Sequence, residues 1–195
     1  MTERGGGVYK RMDARPYTRR ANRKPSLNYI KGVPRPKIHL FEMGDSQGRF
    51  DTEISLVADE TAQIKHNALE AARVAAVKNI ANVGPKSFFI KMRIYPHHVL
   101  RENPLATGAG ADRFQEGMSR AFGKPIGMAA RVKRDQKILS ISINNNNLVV
   151  AKDALRRAKM KFPLRCRVQI DDLTKKPAPK APTPKGTPGL SSKKL

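Results

Sequence analysis

This 195-residue chain contains no tryptophan, one cysteine and few acidic side chains, and it has no long hydrophobic run. The single cysteine, Cys166, excludes a disulfide framework and a zinc site with several cysteine ligands. No apolar stretch approaches the ~18 residues of a membrane-spanning helix. The first residues also lack the hydrophobic segment of a secretory signal. We therefore expect a soluble protein in a reducing intracellular compartment.

Positive charge is what the chain has in excess. It carries 39 Lys and Arg against 16 Asp and Glu, a formal net charge of +23. A compact domain with this charge repels itself unless a polyanion neutralises it. Nucleic acid is the first candidate, because its phosphates dominate affinity for basic proteins, and an anionic membrane surface is the second. The net charge is +9 over 1–37, −3 over 38–82, +7 over 83–137, +4 over 138–172 and +6 over 173–195.

Composition divides the chain into one domain with two basic extensions. Residues 1–37 contain three consecutive glycines and few aliphatic side chains, so they bury too little apolar surface to offset their ordering entropy. Residues 173–195 form a Lys/Pro-rich tail that favours polyproline II or disorder. We predict a globular nucleic-acid-binding domain over 38–172, in which 101–127 is a long loop with five glycines.

Hydrophobic periodicity predicts a mixed set of elements. Alternating apolar residues indicate strands at 36–43, 50–57, 88–95, 128–132, 137–143 and 165–170. Helical patterns cover 61–84, which stops at Gly84-Pro85, and 148–162, which stops at Pro163. The strands at 128–132 and 137–143 are predicted to form a hairpin around Arg134-Asp135. This order predicts an α+β fold of two layers, with an antiparallel or mixed sheet and two helices. In the second helix, Leu148, Val149, Leu155 and Phe162 are expected in the core.

The glycine-rich loop does not satisfy either common phosphate-binding motif. Five residues separate Gly117 from Gly123, where the P-loop requires four, and Pro125 replaces the hydroxyl residue that would bind magnesium. Gly108 and Gly110 are not followed by a third glycine at the dinucleotide-binding spacing. A nucleotide cofactor is therefore not predicted.

Candidate catalytic and metal-binding residues are few. His97 and His98 are adjacent, but with no cysteine nearby they are better explained by packing or RNA contact than by a metal site. Cys166 is expected to be a buried thiol in a strand. Asp112 and Glu116 are four residues apart, but among Arg113 and Arg120 they are better interpreted as intramolecular salt-bridge partners than as an acid/base pair. We predict no enzyme activity, no cofactor and no metal.

Basic residues are interleaved with aromatics and glycines in two regions, Tyr9 to Arg20 and Arg113 to Lys124. Lysine and arginine neutralise phosphates, aromatic and guanidinium planes stack on unpaired bases, and glycine lets the backbone approach closely. This pattern favours RNA binding.

Several motifs resemble one family of ribosomal proteins, the universal protein sixteen family of the large subunit, known as ten-e in its archaeal and eukaryotic branch. The resemblance runs in order over about 15–172 and is carried by GVPRPKI at 32–38, FEMG at 41–44, NALEAAR at 67–73, PHHVLR at 96–101, AGADR at 109–113, GMSRAFGKP at 117–125 and ALRRAKMKFP at 154–163. The shortness of the tail favours the archaeal branch, whereas its proline-lysine sequence departs from the family pattern.

The resemblance implies an α/β-hammerhead fold and an architectural role in the cytoplasmic ribosome. It implies large-subunit rRNA as a partner in the neighbourhood of 5S rRNA, other large-subunit proteins, and tRNA in the aminoacyl site, with the loop directed toward the peptidyl transferase region. No homo-oligomer is expected. From the basic and aromatic pattern and the resemblance together, the predicted RNA-binding residues are Arg11, Arg15, Tyr17, Arg19, Arg20, Arg23, Lys24, Arg101, Arg113, Arg120, Phe122, Lys124, Arg131, Arg156, Arg157 and Lys161.

Three other classes remain open from the residues. A non-ribosomal RNA- or DNA-binding chaperone fits the charge equally well. An RNA-processing enzyme would need a convergent acid/base or metal set that the sequence does not display. A membrane-surface protein would need a long basic helix with a bulky apolar face. The first helix is Ala-rich and only weakly basic, which argues against a membrane partner.

Overall fold

The computed structural model describes residues 5–12, 30, 32–106, 108–113 and 115–173. Within them lie two α-helices, eight β-strands and several short 3₁₀ turns. The strands are β1 (Glu42–Gly44), β2 (Thr52–Ala58), β3 (Ala62–Lys65), β4 (Phe88–Met92), β5 (His98–Glu102), β6 (Lys124–Val132), β7 (Lys137–Ile143) and β8 (Cys166–Asp172), and the helices are α1 (His66–Ile80) and α2 (Leu148–Lys159). The predicted α+β class is confirmed. The C-terminal tail beyond Leu173 lies outside the described residues.

The larger of two sheets has the strand order β1-β4-β7-β2-β8, and its neighbouring strands are antiparallel. Its core face follows from alternation along the strands. Ile54 of β2 pairs with Ile141 of β7, which pairs with Ile90 of β4, and all three are buried. Since successive side chains point to opposite faces, Glu53 and Ser140 lie on the other side of this large sheet.

The two helices pack against each other and cover the apolar face of the large sheet. Small buried residues such as Ala72 and Ala76 of α1 and Ala154 of α2 line their shared core. The side chain of Asn79 also donates a 2.9 Å hydrogen bond to Asp153, which links the helices at their polar edge. The expectation that Val149 joins the core is wrong, because it lies on the outer side of α2 and is 77% exposed.

The smaller sheet has the order β3-β6-β5, again antiparallel. Two of its strands differ from the predictions. Residues 62–65, predicted as the first turn of α1, form β3, because Ile64 and Ala62 pair with Ala130 and Val132 and are buried. Residues 98–102 form β5, which the sequence pattern did not indicate, so the irregular segment is 103–123 (the glycine-rich loop hereafter).

The predicted hairpin between β6 and β7 is also wrong. β6 is hydrogen-bonded on both sides by β3 and β5, and β7 is bonded on both sides by β2 and β4, so neither has an edge left for the other. The turn between them instead carries the chain from the small sheet to the large one. It is held there by Asp135, whose amide donates to the carbonyl of Ala58 at 2.8 Å.

The remaining elements lie near their predicted positions. β2, β4, β7, β8 and α2 fall within or beside the predicted ranges. The predicted strand at 36–43 is shorter, since only Glu42–Gly44 is regular, although the carbonyl of Phe41 still accepts a hydrogen bond from Met92 at 2.7 Å. In the described part of the chain, neither helix combines the length and apolar character needed to cross a bilayer.

Candidate nucleic-acid interface

The polar face of the large sheet carries cations that are already paired with carboxylates. Glu53 is almost fully buried and accepts Arg93 at 2.6 Å, and its carboxylate lies 3.5 Å from Lys137. Lys137 also pairs with Asp171 at 2.6 Å. Arg93 donates a further 2.8 Å hydrogen bond to Ser140. This surface therefore offers little uncompensated charge to a polyanion.

The glycine-rich loop is closed at its base by contacts from Arg101, at the end of β5. Its guanidinium donates to the carbonyl of Gly123 at 2.7 Å and lies 4.4 Å from the ring centroid of Phe122. The side chain of Asn103 donates to the carbonyl of Arg120 at 3.2 Å. The two ends of the loop are therefore joined, and Phe122 is held against Arg101 while remaining 73% exposed.

Short turns shape the interior of the loop. 3₁₀ turns occur at Ala111–Arg113 and Gly117–Arg120, and the amide of Ala106 donates to the side chain of Gln115 at 2.5 Å. Arg120 pairs with Glu116 at 2.6 Å, so Glu116 is a salt-bridge partner as interpreted, but both side chains are exposed, and such pairs are weak.

Two exposed cations of this region, Arg113 and Lys124, form no ion pair with any described residue. Unlike Arg120, each presents a positive charge that no carboxylate in the described ranges neutralises.

The C-terminal half of α2 presents a second basic surface. Arg156 and Arg157 both bind the carboxylate of Asp153, at 2.8 and 3.0 Å. Hydrogen bonds from Arg156 and then Asn79 lower the pKa of that carboxyl, so it stays ionised at neutral pH. Two arginines on one carboxylate leave a net positive charge, and Lys161 beside them is exposed.

The glycine-rich loop and the residue that follows α2, Arg165, lie near opposite ends of β6. Lys124 begins the strand beside the loop, and Val132 ends it about 26 Å away at the usual rise per residue. At that end of β6, Val132 pairs with Ala62 of β3. Glu60, just before β3, accepts a hydrogen bond from the amide of Arg165, which follows α2 in the chain. A partner that contacts both surfaces must therefore be extended, as a nucleic-acid helix is.

Comparison with known proteins identifies the family. Residues 13–169 match the model of the family described as ribosomal protein L16p/L10e. The chain belongs to this family. It is therefore a ribosomal protein and not an enzyme.

Three archaeal relatives carry the name large ribosomal subunit protein uL16. The one from Staphylothermus marinus is 48% identical over 174 residues, which cover 89% of this chain and 96% of the relative. The one from Hyperthermus butylicus is 48% identical over 156 residues, covering 80% and 83%. The one from Archaeoglobus fulgidus is 43% identical over 172 residues, covering 88% and 94%.

The structure of this ribosomal protein separates the predicted RNA-binding residues into groups. Arg101, Arg113, Arg120, Phe122 and Lys124 lie in or beside the glycine-rich loop. Arg156, Arg157 and Lys161 form the α2 surface, whereas Arg131 lies on β6 and Arg11 in the N-terminal segment. The other predicted residues lie outside the described part of the chain: Arg15, Tyr17, Arg19, Arg20, Arg23 and Lys24.

The N-terminal segment 5–12 contacts the small sheet, which the sequence did not indicate. The carbonyl of Lys10 accepts the amide of Gln63 at 3.0 Å, and its ammonium pairs with Glu60 at 2.7 Å. The ammonium of Lys65 lies 5.0 Å from the ring centroid of Tyr9. Glu60 therefore holds the N-terminal segment through Lys10. The hydrogen bonds that Glu60 accepts from Lys10 and from the amide of Arg165 lower the pKa of its carboxyl.

Sequence reasoning also passed over Lys133 and Arg134, which lie in the turn after β6. The available signal was the basic run that they form with Arg131, three cations within four residues.

The histidines and the cysteine do not form a reactive centre in the described residues. No group of three or more His, Cys, Asp or Glu side chains is placed to hold a metal there. Burial, with a smaller contribution from the charge of Arg131, lowers the pKa of His98 from 6.5 to about 4. Cys166 is buried as predicted, and burial raises the pKa of its thiol to about 11, so it is not a thiolate nucleophile at neutral pH.

Proposed function

We propose that this protein is a structural constituent of the large ribosomal subunit that binds large-subunit rRNA near 5S rRNA and helps to seat tRNA in the aminoacyl site. The observation that carries the proposal is the family match over residues 13–169, together with archaeal relatives named as large-subunit proteins whose length it nearly spans. The ribosome, in the cytoplasm, is accordingly its expected location.

The two basic surfaces support a bridging role in rRNA. Arg113 and Lys124, which no described carboxylate pairs, lie near one end of β6. Together with Arg156, Arg157 and Lys161 of the α2 surface, they suit contacts with phosphates on separate RNA helices. Phosphate contacts of this kind fix position and orientation without reading sequence. The chain then acts as a rigid spacer whose length is set by the small sheet.

The glycine-rich loop is the part that we propose contacts tRNA and the peptidyl transferase region. Its base is rigid, while Met118 and Phe122 are exposed large apolar side chains beside Arg113 and Arg120. Exposed aromatic side chains next to arginines are suited to stacking on unpaired bases. In this role the protein positions RNA, and the chemistry belongs to the RNA.

A non-ribosomal RNA-binding or chaperone protein is the alternative. The discriminating experiment is incubation of the purified chain with archaeal large subunits depleted of this protein, followed by sedimentation at increasing salt. A ribosomal constituent co-sediments with one copy per subunit and is retained at high salt. A loose electrostatic binder dissociates as the salt rises, and that outcome would reject the proposal.

A further inference from the structure

A surface pocket lies where β6 leaves the small sheet, away from the glycine-rich loop. Its volume is about 780 Å³, and it is lined by Met12, Arg131, Lys133, Arg134, Asp135 and Gln136. Three of these six side chains are cationic and one is acidic. We call it the β6 pocket.

The frame of the β6 pocket is held by a closed turn. The amide of Lys133 donates to the side chain of Gln136 at 3.0 Å, and the amide of Gln136 donates back to the carbonyl of Lys133 at 3.3 Å. Asp135 occupies the left-handed region with φ of 64°, and its amide is fixed to Ala58. The cations therefore project from a backbone that is ordered before any ligand binds.

The single acidic residue of the pocket is bound by an arginine that does not line it. The carboxylate of Asp135 binds Arg167 at 2.5 Å, and Arg167 also binds Asp59 at 2.8 Å. Hydrogen bonding from Arg167, with a smaller contribution from the charge of Arg134, lowers the pKa of the Asp135 carboxyl. The guanidinium of Arg134 lies 4.0 Å from the Asp135 carboxylate, which is a long distance for an ion pair.

Arg131 and Lys133 form no ion pair within the described residues, and in that part of the chain the Nε of Arg131 is buried without a hydrogen-bond partner. A buried charged donor without an acceptor is costly. The charge of Arg131 also acts on His98, on the neighbouring strand, whose pKa it helps to lower. The unpartnered Nε is the observation that favours a hydrogen-bond acceptor at Arg131.

We propose that Arg131, Lys133 and Arg134 bind a single phosphate group of the rRNA backbone in the β6 pocket. Guanidinium groups match the geometry of phosphate oxygens and bind them by paired, charge-assisted hydrogen bonds. The proposal rests on the proposed function, which supplies rRNA as the source of the phosphate. The β6 pocket would then be a third region of RNA contact, besides the glycine-rich loop and the α2 surface.

The test compares two triple variants of the full-length chain that remove equal charge. One changes Arg131, Lys133 and Arg134 to Gln. The control changes Arg49, Lys78 and Lys86 to Gln, which are exposed and unpaired among the described residues. Affinity for deproteinised archaeal large-subunit rRNA is measured over a salt series. The pocket variant should bind at least about tenfold more weakly, and its slope of log K against log salt should be smaller by about 1.

The control variant should stay within about threefold of the wild type, since surface charges outside a contact add little. An equal loss of rRNA affinity in both variants would contradict the phosphate site in the β6 pocket, while the proposed function would be unaffected. Failure of the wild-type chain to bind the rRNA at all would instead reject the proposed function.

A second measurement distinguishes polymer phosphate from free phosphate. Inorganic phosphate is titrated into the wild-type chain and into Arg131→Gln while the His98 imidazole is followed by NMR. A phosphate site predicts a shift of the His98 signal in the wild type and none in the variant. A phosphate-dependent shift combined with unchanged rRNA affinity in the pocket variant would show a site for small anions, which overturns the assignment to rRNA.

Discussion

Gly123 lies directly against the backbone of Glu102 where the glycine-rich loop joins β6. A Cβ atom at position 123 would come within 2.3 Å of the Glu102 carbonyl carbon and 2.5 Å of its oxygen. Backbone atoms on both sides cannot move apart without breaking the contact of Arg101 with Gly123. Gly123→Ala should therefore lower the free energy of unfolding by about 1–3 kcal/mol, the usual cost of forced overpacking.

The matched control for this substitution is Gly127→Ala, four residues further on in β6. There the nearest atom to an added Cβ belongs to His66 at 3.6 Å, an ordinary contact. We expect the control to stay within about 1 kcal/mol of the wild type. Chemical denaturation measures both, and limited proteolysis should cut the loop faster only in Gly123→Ala. Equal stability of the two variants would show that the loop base is not closed as described.

The ion pairs on the polar face of the large sheet should contribute to folding and not to RNA binding. Glu53→Gln removes the negative charge that Arg93 and Lys137 share, and should lower stability by about 1–3 kcal/mol, the range for a charge left without its partner. Affinity for rRNA should change less than threefold, as measured by filter binding. A large change in RNA affinity with unchanged stability would show that this face of the sheet contacts RNA.

Much of the fold follows from the sequence where alternation or helical periodicity runs without interruption. β2, β4, β7 and α2 are of this kind. The first strand of the small sheet was predicted as helix because Ala62 and Ile64 fit either pattern, and only their pairing with β6 decides. The wrong hairpin has a related cause, since alternation identifies a strand but not its neighbour.

The candidate interface could be predicted by residue type but not by arrangement. Basic residues near aromatics indicated the loop, yet nothing local to the sequence separates Arg93, paired across the sheet with Glu53, from the unpaired Arg113. Ion pairs between distant strands require the sheet order. The extension boundaries at 37/38 and 172/173 stay predictions, as do the RNA contacts, although segment 5–12 does contact the small sheet.

His98 should make the stability depend on pH in a defined range. Burial and the charge of Arg131 lower its pKa from 6.5 to about 4, so the folded state keeps the neutral imidazole. Between these values the unfolded chain binds a proton that the folded chain does not, and stability is lost as the pH falls from 6.5 toward 4. His98→Gln should flatten this part of the profile, as followed by thermal unfolding at pH 7, 5.5 and 4.5.

The neighbouring His97 provides the control, because it is exposed. His97→Gln should reproduce the wild-type profile over the same pH range. If His98→Gln and the wild type lose the same stability between pH 6.5 and 4, carboxyl groups alone are responsible, and the environment described for His98 is wrong.

The last prediction concerns the exposed cations of the glycine-rich loop. Arg113, Arg120 and Lys124 changed together to Ala should alter the stability of the isolated chain little, within about 0.5 kcal/mol per site, because all three are exposed. Even the pair between Arg120 and Glu116 is solvent-exposed and weak. Function should suffer more, since each lost hydrogen bond to a charged RNA group is worth about 1.5–3 kcal/mol. We therefore expect subunits that incorporate the variant but bind aminoacyl-tRNA poorly or mature slowly.

Reconstituted or complemented ribosomes provide the measurement, with the variant at Arg49, Lys78 and Lys86, each changed to Ala, as the control of equal charge. That control should accommodate tRNA normally, because its residues lie in other segments of the chain, outside the loop. The rival interpretation holds that the loop is a passive connection between β5 and β6. It predicts normal tRNA binding and normal subunit maturation for both variants. Such a result would remove the loop from the functional surface, while the rRNA contacts proposed for α2 and the β6 pocket would stand, because they depend on different residues outside the loop.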